Sequence, residues 1–207
     1  MDIFIVASWL GGIAFALSGF LVGIRHRLDI MGIFIVSMLT ANGGGAVRDL
    51  LVNRTPAVLL DSSSFYMVLG VMAVAYLFKV HRNEHLEKSH LFVVSDSLGL
   101  VAFSVTGALV GVEAGLSIFG VMVLSFITAA GGGIIRDLLV NEVPAILSSD
   151  FYGTIALLLG ASIFLLDLFE FNTNMNVTIL FVAALLLRMT AYMKKWKLPR
   201  ITDRDDV

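Results

Sequence analysis

The sequence contains no cysteine and only three prolines, and 14% of its residues are charged. Without cysteine there are no disulfides, thiolate metal sites or cysteine nucleophiles. A net charge of −2 provides no electrostatic reason to expect a nucleic-acid partner. No phosphate-binding loop, His-Glu-x-x-His or Gly-x-Ser-x-Gly motif is present. We therefore expect that the chain is not an enzyme and that it uses no cofactor.

Apolar residues are abundant. They make up 58% of the chain, and the mean hydropathy is +0.93, whereas soluble domains are roughly 45–50% apolar. A helix needs about 20 residues to span a bilayer, and seven stretches approach that length: about 3–24, 29–52, 65–80, 91–112, 116–140, 151–169 and 176–193. The sequence thus predicts an all-α, polytopic protein with a single membrane domain over residues 1–207, ending in a charged tail at 194–207.

Basic residues lie almost entirely on one side of these spans. If the N-terminus is outside, the outer loops carry Arg54 alone, and the inner side carries ten basic residues: Arg25, Arg27, Lys79, Arg82, Lys88, Lys194, Lys195, Lys197, Arg200 and Arg204. Because cytoplasmic loops are enriched in Lys and Arg, we expect the N-terminus outside and the C-terminus in the cytoplasm.

A long motif occurs twice. Residues 40–59, TANGGGAVRDLLVNRTPAVL, match residues 128–147, TAAGGGIIRDLLVNEVPAIL, at a distance of 88. The match extends upstream, where seven residues recur at the same distance: Gly11, Phe15, Gly19, Gly23, Leu28, Gly32 and Ser37 as Gly99, Phe103, Gly107, Gly111, Leu116, Gly120 and Ser125. Each repeat, about 3–80 and about 91–169, holds three spans, and a seventh follows at about 176–193. An odd number of spans inverts the second repeat, an architecture common in transporters.

Each repeat carries three consecutive glycines within a span, Gly43-Gly44-Gly45 and Gly131-Gly132-Gly133. Each glycine costs about 1 kcal/mol relative to alanine inside a helix. The triplets therefore predict that the second and fifth spans are broken or kinked beside a water-filled path. The alternative is close packing of helices, which small residues also permit.

Charged pairs, Arg48-Asp49 and Arg136-Asp137, follow the glycines. Adjacent helical residues do not face each other, so we expect no ion pair within either dipeptide. Pairing between the repeats is also unfavourable, since each arginine lies about eight residues, or ~12 Å, from the middle of its span on opposite sides. The pattern favours two aqueous vestibules meeting at the glycines. The alternative is an ion pair with another span or a lipid headgroup.

Other polar residues allow two interpretations. Asn53 and Pro56, like Asn141 and Pro144, predict a helix stop followed by a short helix. Asp96, whose counterpart is Ser8, either lines a pore mouth or is a first-turn charge favoured by the helix dipole. Hydroxyl groups within the spans either offer an oxygen to an ion or bond their own backbone. These hydroxyl groups belong to Thr40, Thr128, Ser18, Thr106, Ser37 and Ser125.

His81 and His85 suit a solvated loop better than a metal site. Arg188 is expected to reach the inner interface.

The doubled G-G-G-x-x-R-D-L-L with a following N-x-x-P-A resembles the prokaryotic trimeric intracellular cation (TRIC) channel family, which overlaps a family of bacterial glycine transporters. This resemblance covers both repeats and the seventh span. It implies a homotrimer in the bacterial inner membrane, with a potassium-permeable path in each protomer between the second and fifth helices. Carried over by position, Arg48, Asp49, Arg136 and Asp137 would line or shape that path.

Three functions remain open at this stage. The first is a channel for potassium or other monovalent cations, surrounded by membrane lipid. The second is a secondary transporter of a small zwitterion such as glycine, because inverted repeats with broken helices also describe carriers. The third is a structural protein without flux, which would maintain the intramembrane charges at a cost.

Overall fold

The computed structural model describes residues 2–80, 90–148 and 151–196. Within these ranges the chain is helical and contains no strand. His81 and His85, for which a solvated loop and a metal site were the two interpretations, lie outside the described residues. The described residues form eight α-helices and a 3₁₀ turn at Ala57–Leu59: α1 (Ile3–Arg25), α2 (Ile30–Leu51), α3 (Ser63–Leu77), α4 (His90–Glu113), α5 (Ile118–Leu139), α6 (Ala145–Ser148), α7 (Tyr152–Leu168) and α8 (Asn174–Met193).

The seven long helices match the seven predicted spans, but they differ in length. Five are long and apolar enough to cross a membrane, namely α1, α2, α4, α5 and α8. α3 and α7 have 15 and 17 residues. At a rise of 1.5 Å per residue they are ~22–26 Å long, short of a hydrocarbon core of ~30 Å. The third helix of each repeat is therefore the short one, and a 3₁₀ turn or α6 precedes it.

Contacts between the repeats are reciprocal and antiparallel. A Cβ on Gly11 would overlap the Phe103 ring, and a Cβ on Gly99 would overlap the Phe15 ring. The two rings pack edge to face with centroids 5.3 Å apart. Gly11 corresponds to Gly99 and Phe15 to Phe103 at the repeat distance of 88 residues, so exchanging the repeats turns one contact into the other. This exchange confirms that the repeats are inverted about a pseudo-two-fold axis, which passes close to the Phe15–Phe103 pair.

The prediction that the second and fifth spans are broken at the glycines is wrong, whereas a kink at that place stays a prediction. α2 and α5 are continuous through their glycine triplets. A Cβ on Gly44 would overlap the carbonyl oxygen of Thr128, and a Cβ on Gly132 would overlap that of Thr40. Glycine at these positions lets the two backbones cross in contact, so the alternative of close packing is correct. The intrinsic cost of glycine in a helix is offset by this approach of the helices.

Ion pairs join the repeats near both ends of the helices. Arg25, at the end of α1, donates a hydrogen bond to Glu142 after α5, and His26 Nε2 lies 2.8 Å from the same carboxylate. At the opposite end, Arg54 lies 3.1 Å from Glu113 of α4. Glu113 is the counterpart of Arg25, and Glu142 is the counterpart of Arg54. Repeat one thus supplies the arginines and repeat two the glutamates.

Candidate functional site

A cavity of about 330 Å³ opens in repeat one, between α1, α2 and the start of α3. We name it the repeat-one cavity. It contains three ionisable side chains, Arg48, Asp49 and Asp61, together with the amide of Asn42. The third glycine of the triplet, Gly45, also lines it, whereas Gly44 packs against α5. The second and third positions of the triplet therefore have different environments.

Arg48 and Asp49 form an ion pair with each other, contrary to the prediction from helical spacing. The Arg48 Nε and Nη2 atoms lie 2.9 and 2.7 Å from Asp49 Oδ1. The spacing rule describes the directions of the Cβ atoms, but the arginine side chain is long enough to bend toward its neighbour. Both residues are largely buried. Arg48 therefore brings no uncompensated positive charge into the cavity.

The second oxygen of Asp49 fixes the segment that follows α2. Asp49 Oδ2 accepts a hydrogen bond of 3.0 Å from the backbone N–H of Ala57. Asn53 adopts a left-handed conformation with φ 56°, and the Arg54 N–H bonds the Asp49 carbonyl at 2.8 Å, a helix stop of the Schellman type. The predicted stop followed by a short helical segment after Pro56 is confirmed.

Repeat two reproduces this backbone arrangement. Asp137 Oδ2 accepts a 2.8 Å hydrogen bond from the N–H of Ala145, at the start of α6. Asn141 has φ 57°, and the Glu142 N–H bonds the Asp137 carbonyl at 2.8 Å. Both aspartates thus connect the end of a long helix to the short segment after it.

The arginine of repeat two is enclosed completely. Arg136 is 0% exposed. Its Nε lies 2.8 Å from Asp137 Oδ1, and its Nη1 lies 2.7 Å from Asp96 Oδ1. The same Nη1 donates a hydrogen bond to the hydroxyl of Ser18 in α1. The ion pair with another span, which was the alternative to a vestibule, is therefore correct for Arg136.

Asp96 is the acid of that interhelical pair. It lies beyond the first turn of α4 and is 4% exposed, so the alternative that it serves the helix dipole as a first-turn charge is wrong. Its repeat-one counterpart, Ser8, faces the open cavity instead. The two sites share the Arg-Asp dipeptide but differ in this third member. Pairing between Arg48 and Asp137 across the repeats does not occur in the described residues.

Two further side chains complete the repeat-two cluster, which we define as Arg136, Asp137, Asp96, Ser18, Tyr152 and Arg188. The Arg188 guanidinium of α8 stacks 4.9 Å from the centroid of the Tyr152 ring. Arg188 is 6% exposed, so the prediction that it reaches the inner interface is wrong. The aromatic face gives its charge a partner inside the protein. Gly133 lies next to the Tyr152 hydroxyl, with 3.5 Å between that oxygen and an added Cβ.

Most hydroxyls of the spans bond the backbone. Thr40 donates to the Val36 carbonyl and Thr128 to the Leu124 carbonyl, each at 2.6 Å. Thr106 bonds the Phe103 carbonyl at 3.1 Å, and Ser125 bonds the backbone of α4 and α7. The bond to the residue's own helix backbone is confirmed for Thr40, Thr128 and Thr106, whereas Ser125 bonds the backbone of two neighbouring helices. A contact with an ion stays a prediction for Thr40 and Thr128.

The sequence interpretation missed three residues that shape these sites. Asp61 lies in the cavity wall, and the hydroxyl and backbone N–H of Ser63 hold the pKa of its carboxyl below the usual range. Phe103 lines the same cavity and contacts Phe15. The sequence did contain a signal for this contact at the axis, because Gly11 and Phe15 recur as Gly99 and Phe103. Tyr152 had a signal too, since Phe65-Tyr66 recurs as Phe151-Tyr152.

Comparison with protein families gives a match to the family model described as "Glycine transporter" over residues 5–82 and 93–167. The UPF0126 membrane protein YvgT of Bacillus subtilis (strain 168) is 34% identical over 200 residues, covering 96% of both chains. The UPF0126 inner membrane protein YadS of Escherichia coli (strain K12) is 30% identical, covering 92% of this chain and 94% of the relative. Membrane proteins of similar length are therefore similar to this chain over nearly all of its length.

Solved structures share the fold as well. The TRIC trimeric intracellular cation channel orthologue from Rhodobacter sphaeroides is 32% identical with a TM-score of 0.85, covering 93% of this chain and 98% of that chain. A prokaryotic TRIC channel in 0.5 M KCl is 29% identical with a TM-score of 0.85, covering 95% and 98%. These neighbours are ion channels and not enzymes, in agreement with the absence of enzyme motifs.

Proposed function

The chain belongs to the glycine transporter family, a family of multi-pass membrane proteins, and on that premise we propose that it is a cation channel with one ion path inside each protomer. The likeness to solved TRIC cation channels, at 32% and 29% identity over nearly the whole chain, supports this proposal. The observation that carries it is the charge of the repeat-one cavity.

The ionisable groups of this cavity carry a net charge of −1. Arg48 and Asp49 neutralise each other through two hydrogen bonds to one carboxylate oxygen. Asp61 remains, and the lowered pKa of its carboxyl keeps it ionised at neutral pH. A negative cavity with apolar walls concentrates cations and repels anions. The sequence alone did not decide whether the net charge along the path is positive or negative, because each arginine was balanced by one aspartate.

The proposed path runs from the repeat-one cavity to the repeat-two cluster. It passes beside the crossing of α2 and α5 along the third glycines, Gly45 and Gly133, because Gly44 and Gly132 leave no space between the helices. The Phe15–Phe103 pair narrows the route between the two sites. The permeant ion we propose is potassium or another monovalent cation, since small hydrated cations require no dedicated ligand cage.

Assembly and placement complete the proposal. We propose a homotrimer in the cell inner membrane, by analogy with the trimeric orthologue of Rhodobacter sphaeroides and the inner membrane relative of Escherichia coli. The basic residues favour the N-terminus outside and the C-terminus in the cytoplasm. In that orientation the repeat-one cavity opens to the outside and the repeat-two cluster lies on the cytoplasmic side.

Planar-bilayer recording of purified protein under a potassium chloride gradient tests this function. We expect unitary currents that reverse near the potassium equilibrium potential. Asp61→Asn is expected to lower the unitary conductance and shift the reversal potential toward zero. Asp167→Asn is the control, because Asp167 lies in the last turn of α7 and does not line the cavity. Absence of unitary currents from the unmodified protein, or equal effects of both variants, would contradict the proposal.

The second candidate is a carrier of glycine or a similar zwitterion, which the description of the family model favours. Arg48 and Asp49 face a cavity large enough for such a molecule. They are, however, bonded to each other, and Asp49 also holds the Ala57 N–H, so a bound zwitterion would have to displace these partners. Counterflow of labelled glycine in proteoliposomes, without unitary currents, would favour the carrier.

A further inference from the structure

The two halves of the protein offer an internal comparison, because they share a motif but differ in access. Repeat one has a cavity beside Arg48, whereas Arg136 is fully enclosed in repeat two. The Arg-Asp dipeptides, the helix stops and the short segments after them are equivalent in both halves. The difference in access therefore arises from residues outside the shared motif.

Three residues of the repeat-two cluster have no equivalent contact in repeat one. Asp96 replaces Ser8. Tyr152 is 2% exposed, whereas its counterpart Tyr66 is 68% exposed. Arg188 lies on α8, the helix that neither repeat contains. These residues are also electrostatic neighbours, since the Tyr152 hydroxyl interacts with Asp96, Arg136 and Arg188.

The contacts form a chain from α8 to the end of α5. Arg188 stacks on the ring of Tyr152, the Tyr152 hydroxyl lies beside Gly133 of α5, and Asp96 of α4 binds Arg136. α8 packs on α4 and α7, and most of its residues are not buried within the protomer. Movement of this helix would reach the neighbourhood of Arg136 through the Tyr152 ring.

We propose that Arg188 is the residue that holds the repeat-two end of the ion path closed, by fixing the Tyr152 ring between α8 and Gly133. This role rests on the proposed channel function. Arg188 is a positioning residue that acts through Tyr152 and not a ligand of the ion. Release of the cation–π contact frees the ring to leave Gly133, which opens the repeat-two cluster to water from the cytoplasmic side.

The first test compares Arg188→Met, Arg188→Lys and the unmodified protein by single-channel recording. Arg188→Met keeps the length of the side chain without its charge. We expect its ratio of open to closed time to rise about tenfold, which corresponds to ~1.4 kcal/mol, between the values for exposed and for desolvated cation–π contacts. Arg188→Lys retains the cation and should lie between the other two. Leu186→Met, on the exposed side of α8, is the control.

The second test addresses the ring. Tyr152→Leu removes the aromatic face and should also raise the open fraction, whereas Tyr152→Phe retains the face and should preserve most of the closure. This pair decides the proposal if Arg188→Met does not fold. Unmodified protein that conducts, with an open fraction unaffected by Arg188→Met or by Tyr152→Leu, would overturn the role of Arg188 while leaving the channel function intact. Unmodified protein without currents would instead overturn the channel function.

Discussion

Arg25 of repeat one is bound to Glu142 of repeat two, and the equivalent contact at the opposite end of the helices has its charges exchanged. The Glu142 carboxylate receives hydrogen bonds from both Arg25 and His26, while the pair at the opposite end joins Arg54 to Glu113. The two contacts join the repeats at points far from the packed glycine crossing. They thus fix the relative position of the halves by charge as well as by shape.

Reversal of the charges of the Arg25–Glu142 pair should be tolerated only in the double variant. Glu142→Arg places a second guanidinium beside Arg25, and we expect a loss of about 1 kcal/mol in the free energy of unfolding, as for a partly exposed pair. Arg25→Glu combined with Glu142→Arg should recover most of it. Thermal unfolding in detergent measures both. Equal destabilisation by the single and double variants would show that the charges do not interact.

The contact between Arg25 and Glu142 should also depend on pH. Partial burial alone would raise the pKa of the Glu142 carboxyl, but hydrogen bonds from Arg25 and His26 outweigh it, and the pKa lies below its usual value of 4.5. Since the folded pKa is below the unfolded one, the stabilisation is complete above about pH 4.5 and is lost as the pH falls through the folded value. Unfolding temperatures of the unmodified protein and Glu142→Gln should therefore differ at pH 7 and converge as the pH falls below the folded pKa of this carboxyl. A constant difference would refute this.

Alanine scanning of the glycine triplet should give very unequal results. Gly44→Ala forces α2 away from the Thr128 carbonyl, and we expect a cost of about 1–3 kcal/mol, typical of overpacking. Gly45→Ala is the matched control, because its Cβ would meet only the Arg48 Nη2 atom, at 3.9 Å. The control should gain up to ~1 kcal/mol in helix propensity. Thermal unfolding decides, and similar stability of the two variants would contradict a packed crossing.

The aromatic pair at the axis should limit conduction. Phe103 lines the repeat-one cavity and contacts Phe15, so Phe103→Leu widens the proposed route and should raise the unitary conductance. The loss of the edge-to-face contact should cost about 1 kcal/mol of stability. Phe65→Leu serves as the comparison, because Phe65 is 42% exposed on an outer apolar groove. A conductance that rises in neither variant would remove Phe103 from the path.

The sequence predicted much of the fold but less of the site. The distance of 88 residues between copies was sufficient for the inverted repeats, and Asn53 and Pro56 marked a helix stop through local backbone chemistry. The effect of the glycine triplet was predicted wrongly because the sequence reveals only the intrinsic cost of glycine in a helix. The close approach of Thr128, which offsets that cost, is a tertiary contact. The Arg48–Asp49 pair depends on how a flexible side chain bends. The burial of Arg188 depends on which face of α8 meets α7, which periodicity in an apolar helix does not reveal.

The exchanged charges also make the two halves of the chain obligate complements. In an antiparallel dimer of two copies of repeat one, Arg25 would face Arg54 at both surfaces; in a dimer of two copies of repeat two, Glu113 would face Glu142. A self-paired assembly of either half is therefore penalised by repulsion at both ends. If the halves were expressed as separate polypeptides, the mixed pair would be the favoured product, so the orientation of each half in the membrane is dictated in part by the other.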